Sequence, residues 1–170
     1  MLILHTKLAS SATVDGELIL PYDLREKSRQ RATLTSGEEV AVFTTRGTVL
    51  RDGDLLSGDD GRVVKITAAI EPTYKVHCSS ARDLLRCAFH LGNRHTQAQV
   101  GDAEGSGFLR IRQDSVLKEM LEGLGANVSL DLAAFEPESG AYQGGGHHHA
   151  DHALAPIPLR QKIHRPSDPT

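Results

Sequence analysis

Five glycine-containing turn signals punctuate the first 70 residues: Asp15-Gly16, Ser36-Gly37, Arg46-Gly47, Asp52-Gly53 and Asp60-Gly61. They recur about every eight to ten residues, a spacing that favours short strands joined by tight turns. The runs GELILPY, RATLTS and EEVAVFTT lie between them. Residues 1–70 therefore read as a small all-β domain, an antiparallel sandwich or barrel.

Pro72 follows AAIE, and beyond it the pattern changes. YKVHC, ending at Cys78, suits a strand. Ser79 or Ser80 can cap a helix over SARDLLRCAFHLG, where Leu84, Leu85, Ala88 and Leu91 form an apolar stripe and Gly92-Asn93 supplies a stop. QAQV and GFLRIR read as strands separated by the glycine-rich GDAEGSG. Asp114 or Ser115 can cap a second helix, VLKEMLEGLG, with Val116, Leu117, Met120, Leu121 and Leu124 on one face and Gly125 at its end. ANVSLDLAAF alternates like a last strand. The order over residues 71–136 is β-α-β-β-α-β, the ferredoxin-like pattern, so the chain as a whole reads as α+β. Periodicity then stops. Residues 137–170 hold five of the seven prolines and the run Gly144 to Gly146, the composition of a flexible tail.

The 170 residues carry a formal charge of -3, with 4% aromatics and no Trp. That balance argues against a global cationic field or stacking platforms for nucleic acid. No apolar run reaches the length of a signal h-region or a membrane span. Two cysteines make no disulfide scaffold. The expectation is a reduced, cytoplasmic protein with no membrane partner. Cys78 and Cys87, nine apart and without C-x-x-C spacing, read as buried structural residues.

Histidine is the anomaly. Of nine, five lie in the last 34 residues: His147, His148, His149, His152 and His164. Imidazole suits nickel, copper and zinc, and the glycines of GGGHHHADH allow a segment to wrap an ion, with Asp151 as a further oxygen donor. A solvated linker or an expression tag is the alternative; a tag normally has a longer run at a terminus. His90 and His95 bracket the sequence HLGNRH. On a continuous helix that spacing turns them about 140° apart, so His95 must leave the helix to project from a turn. On spacing alone a single histidine is more often packed than ligating, and a two-fold dimer would supply a second copy. Arg25, Lys27, Arg29 and Arg31 recur at every second position. On a strand they would form a basic ladder, read equally as a surface for an acidic partner or as a solvated face. No Walker loop, G-x-G-x-x-G, H-E-x-x-H or G-x-S-x-G points to catalysis.

Together these segments resemble the UreE family of urease accessory proteins, over nearly the whole chain. DLREKSRQR, TRGTVLRDGDLL and AAIEPTYKV look like its N-terminal domain. HLGNRH, DSVLKEMLEGLG and FEPESGAY look like its metal-binding domain, with HLGNRH followed by DSVLxxML the specific part. The resemblance implies a homodimer that is no enzyme. It binds Ni(II) as cargo and delivers it to a urease accessory GTPase and the urease apoprotein. It also implies that His95 is the ligand at the dimer axis and that the N-terminal domain, with Arg25, Lys27, Arg29 and Arg31, binds a peptide or protein partner. Some members carry histidines around the aspartate before the second helix. Here Gln113 and Ser115 stand there, which leaves His147, His148, His149 and His152 as the additional ligands. Zn(II) and Cu(II) are possible competitors. The rival reading is a histidine-rich zinc, copper or nickel buffer without a delivery role.

Overall fold

The computed structural model describes residues 1–11, 13–103 and 105–139. The first part forms a six-stranded sheet from β1 (Leu2–Leu8), β2 (Gly16–Leu20), β3 (Arg29–Thr33), β4 (Glu39–Phe43), β5 (Leu55–Gly58) and β6 (Val63–Ala68), with a four-residue helix α1 (Tyr22–Arg25) between β2 and β3. The order across the sheet is β2-β6-β5-β1-β4-β3. The expected antiparallel arrangement is only partly realised, because β1 pairs parallel with β4 and β2 parallel with β6. Turn spacing reports that strands are short, but two strands distant in sequence can run either way. The core is Leu4, Leu18, Leu50, Leu56, Val40, Val42 and Ile66, all fully buried.

The second part begins at β7 (Ile70–His77) and continues through α2 (Ala81–Asn93), β8 (Ala98–Ala103), β9 (Ser106–Arg112), α3 (Ser115–Gly123) and β10 (Asn127–Ala134). Its sheet order is β10-β7-β9-β8, every pair antiparallel. Pro72 does not break β7. The pairing with β9 starts only at Thr73, so the N–H that Pro72 lacks has no β9 partner to lose. β8 and β9 run further into the glycine-rich segment than expected. Gly101 lies opposite Phe108, and a Cβ at Gly101 would meet the Phe108 ring at 2.3 Å, so glycine is what lets the ring cross the strand.

Local signals fix both helices. The Ser80 hydroxyl accepts from the Asp83 N–H at 3.1 Å, and the Asp114 carboxylate accepts from the Leu117 N–H at 2.9 Å. Gly125, at φ +91°, ends α3 in the left-handed region. Each helix lays one stripe on the sheet: Leu84, Cys87, Ala88 and Leu91 from α2, and Leu117, Met120, Leu121 and Leu124 from α3. Leu85 and Val116, expected in those stripes, instead face outward at 71% and 61% exposure. Cys87 takes the position expected of Leu85, since i, i+3, i+4 and i+7 from Leu84 fall at 87, 88 and 91. Both sheets belong to one compact unit, Met1–Glu138. Among the described residues no helix is long and apolar enough to cross a membrane.

Candidate metal site

His95 is the one described non-glycine residue with positive φ, at 53°. The reason lies in how α2 ends. The helix ends at Asn93, at the expected Gly92-Asn93 stop, with Arg94 as its cap. The His95 N–H then donates to the Gly92 carbonyl at 2.9 Å, and the Thr96 N–H to the Leu91 carbonyl at 3.1 Å. This pair of bonds is the Schellman motif, whose left-handed position glycine usually fills. Here a histidine fills it, so the imidazole is thrown clear of the helix and exposed. His90 remains on α2, half-buried, its ring edge-on to Phe89 at 5.5 Å.

His95 opens on a cavity of about 560 Å³ whose walls include Glu26, Gln97, Arg112, Gln113 and Asp114. Its polar groups are tied to one another. Gln97 Nε2 donates to Glu26 at 3.2 Å, Arg112 donates to Gln97 Oε1 at 3.2 Å and pairs with Asp23, and Asp114 caps α3. Sequence reasoning passed over Glu26, Gln97 and Arg112, because only the approach of α1 to the end of β9 makes them neighbours. Among the described residues no group of three or more His, Cys, Asp or Glu side chains is arranged to hold a metal ion. Imidazole chemistry suits His95 to a borderline ion, but the remaining donors must come from elsewhere. His147, His148, His149 and His152, with Asp151 and His164, lie outside the described residues.

The second sheet also carries exposed apolar residues, on β10 and at the start of β7. Thr73 pairs with both Arg112 and Asp131, which sets Ile70, Leu130 and Leu132 at the end of the sheet that leads into α3. These three are 67%, 64% and 69% exposed, on the helix-bearing face but beyond the helices' cover. Contiguous exposed apolar surface of this kind marks contact surfaces.

The basic ladder does not form as expected. Arg25 is not on a strand. It ends α1 and is fully buried, donating to the carbonyls of Leu50 at 3.1 Å and Phe135 at 2.5 Å and to the Glu136 carboxylate. Lys27 is exposed in the turn after α1. Only Arg29 and Arg31 share the exposed face of β3, the edge strand of its sheet. Alternation at 25, 27, 29 and 31 imitates a strand, but Pro21 and the Tyr22 N–H bonded to Glu71 at 2.8 Å start a helical turn first.

Comparison with known proteins places the chain in a family. Residues 3–69 match the model of the UreE urease accessory protein N-terminal domain, and residues 71–164 that of the C-terminal domain. The chain is 74% identical to a urease accessory protein UreE of Janthinobacterium sp. (strain Marseille), over 99% of this chain and 98% of that one. It is 62% identical to the protein of the same name from Nitrosospira multiformis, over 99% and 98%. The corresponding protein of Pseudomonas fluorescens (strain SBW25) is 46% identical over 97% of each. Two domain models matched in order, and identity sustained along the whole length, establish that the chain belongs to the UreE family of urease accessory proteins.

Proposed function

We propose that this chain is a cytoplasmic nickel metallochaperone: a homodimer that holds Ni(II) as cargo and passes it to the urease assembly machinery, an accessory GTPase and the urease apoprotein, without catalysing a reaction. The observation that carries this reading is the full-length likeness to urease accessory proteins. Further support comes from the exposed imidazole of His95 and the apolar patch of Ile70, Leu130 and Leu132 at the same end of the sheet. A two-fold axis there would bring two His95 side chains together. In the division we propose, residues 1–70 form a partner-binding β domain, 71–136 a ferredoxin-like metal-binding domain, and 137–170 a tail whose His147, His148, His149 and His152 complete or extend the metal shell. Loss of urease activation in cells lacking this protein, restored by added nickel, is the expected result; normal activation would leave only a metal buffer. Copper binds any such site more tightly than nickel, and zinc competes, so delivery must rest on partner contact rather than on affinity alone.

Deleting residues 144–170 should lower the number of Ni(II) bound per chain and leave the thermal transition nearly unchanged. A truncated protein that unfolds would show that the tail supports the core. Binding weakens in acid, because protonated imidazole cannot ligate.

Arg29 and Arg31, with Lys27 beside them, form the partner surface of this reading. Arg29→Gln combined with Arg31→Gln should leave nickel stoichiometry intact while weakening the accessory complex. Both side chains are exposed, so the double variant should stay within about 0.5 kcal/mol of wild-type stability. Loss of metal binding by a folded double variant would remove the assignment.

A further inference from the structure

Cys78 and Cys87 were expected to be inert core residues. The fold brings their sulfurs to 3.8 Å, and neither is in a disulfide. Cys87 lies on the buried face of α2 and is fully enclosed. Cys78 is half-buried, one residue past the last ladder position of β7, and it lines a cavity of about 200 Å³ together with Ser79, Ser80, Leu84 and Gly107. Cys78 therefore borders solvent at the cavity, and Cys87 is enclosed by core side chains and the Cys78 sulfur.

We propose that this pair is an oxidation site: a peroxide entering the cavity oxidises Cys78, and Cys87 resolves the product into an intramolecular disulfide. In the first step the Cys78 thiolate attacks one peroxide oxygen. The O–O bond breaks, Cys78 becomes a sulfenic acid, and the released hydroxide takes a proton to leave as water. In the second step the Cys87 sulfur attacks the Cys78 sulfur. The S–O bond breaks, the S–S bond forms, and the hydroxide leaves with the Cys87 proton as a second water. Two thiols lose two electrons and two protons, and one peroxide is reduced to two waters.

Geometry assigns the roles. A peroxide can reach Cys78 through the cavity, whereas Cys87 is closed off. Burial pushes the Cys87 thiol up to about 11, and its hydrogen bond to Cys78 acts in the same direction, so Cys87 holds its proton. A thiolate on the accessible partner is what attack on peroxide requires. Bond formation needs the sulfurs to close to about 2.05 Å. Cys78 can supply that movement, because it stands beyond the paired segment of β7.

The test uses the full chain, first reduced and then treated with hydrogen peroxide. The intact mass should fall by two hydrogens, the two titratable thiols should disappear together, and a peptide linking Cys78 to Cys87 should appear on non-reducing digestion. Dithiothreitol should restore both thiols. Cys87→Ser should instead gain oxygen on Cys78 and lose reversibility, while Cys78→Ser should leave Cys87 unreacted in the folded protein. Two thiols that stay alkylatable after peroxide, a disulfide formed mainly between chains, or sulfinic acid on wild-type Cys78 with Cys87 still free would each overturn the proposal.

Discussion

On the proposed function, His95→Ala should abolish the tight nickel site that two chains would share, and His95→Gly should do the same while making the protein more stable. The two substitutions separate ligand from backbone. Each deletes the imidazole, and a two-fold site loses both copies at once, so isothermal titration should show the tight phase replaced by weak binding. Only glycine relieves the conformation: φ at His95 is 53°, a region where a side chain costs about 1–2 kcal/mol. The gain on His95→Gly should be about 1 kcal/mol after the added freedom of the unfolded chain is subtracted. For a chain of this size that raises Tm by roughly 2–4 °C. His95→Ala keeps the strain and should melt near wild type. His90→Ala is the control: His90 stays on α2 against Phe89 and should alter nickel affinity far less. Both His95 variants should remain dimers, since two-fold interfaces rest mainly on apolar burial. A wild-type titration curve for His95→Ala, or loss of the tight site in His90→Ala instead, would refute the assignment.

Strain at this residue has a functional reading. A left-handed position at a helix end is filled most easily by glycine, and this chain keeps an exposed imidazole there. Strained conformations persist at functional sites because the surroundings over-determine them. Here the two Schellman bonds from His95 and Thr96 do so.

What the sequence made legible was mostly local. Ser80, Asp114 and Gly125 announce the starts of both helices and the end of one, because caps depend on a few neighbouring residues. The β-α-β-β-α-β order follows from periodicity alone. The end of α2 at Gly92-Asn93 was legible too, but Gly92 keeps a helical conformation and the left-handed reversal falls on a histidine, which the stop signal does not reveal. The parallel pairs β1 with β4 and β2 with β6 depend on which distant strands meet, and turn spacing does not carry that. The site was legible only in part. HLGNRH pointed to His95, but Glu26, Gln97 and Arg112 become its surroundings only when α1 reaches the end of β9.

Arg25 was the largest misreading, and it carries the second large effect. Arg25→Met should cost about 2–6 kcal/mol, because two buried carbonyls lose their donors. The side chain is 0% exposed and stacks over Tyr22 at 5.3 Å, so its stem and guanidinium are both core. Its donors serve Leu50 O in the first part of the chain and Phe135 O and Glu136 after β10. Without them two buried carbonyls lose donors, at about 1–3 kcal/mol each. Glu136 is less affected: it is 25% exposed and keeps Arg51 at 3.1 Å, so its loss adds little. Arg25→Lys should fall between, since a single ammonium cannot reproduce a fork that reaches carbonyls on two segments. The matching substitution Arg29→Gln, four residues on but exposed on β3, should change stability by less than about 0.5 kcal/mol. Urea denaturation of the three variants decides between the two pictures of this segment. A surface ladder predicts small, equal effects at Arg25 and Arg29. A buried clamp predicts a midpoint that collapses at Arg25 alone, and an unchanged midpoint for Arg25→Met would discard it.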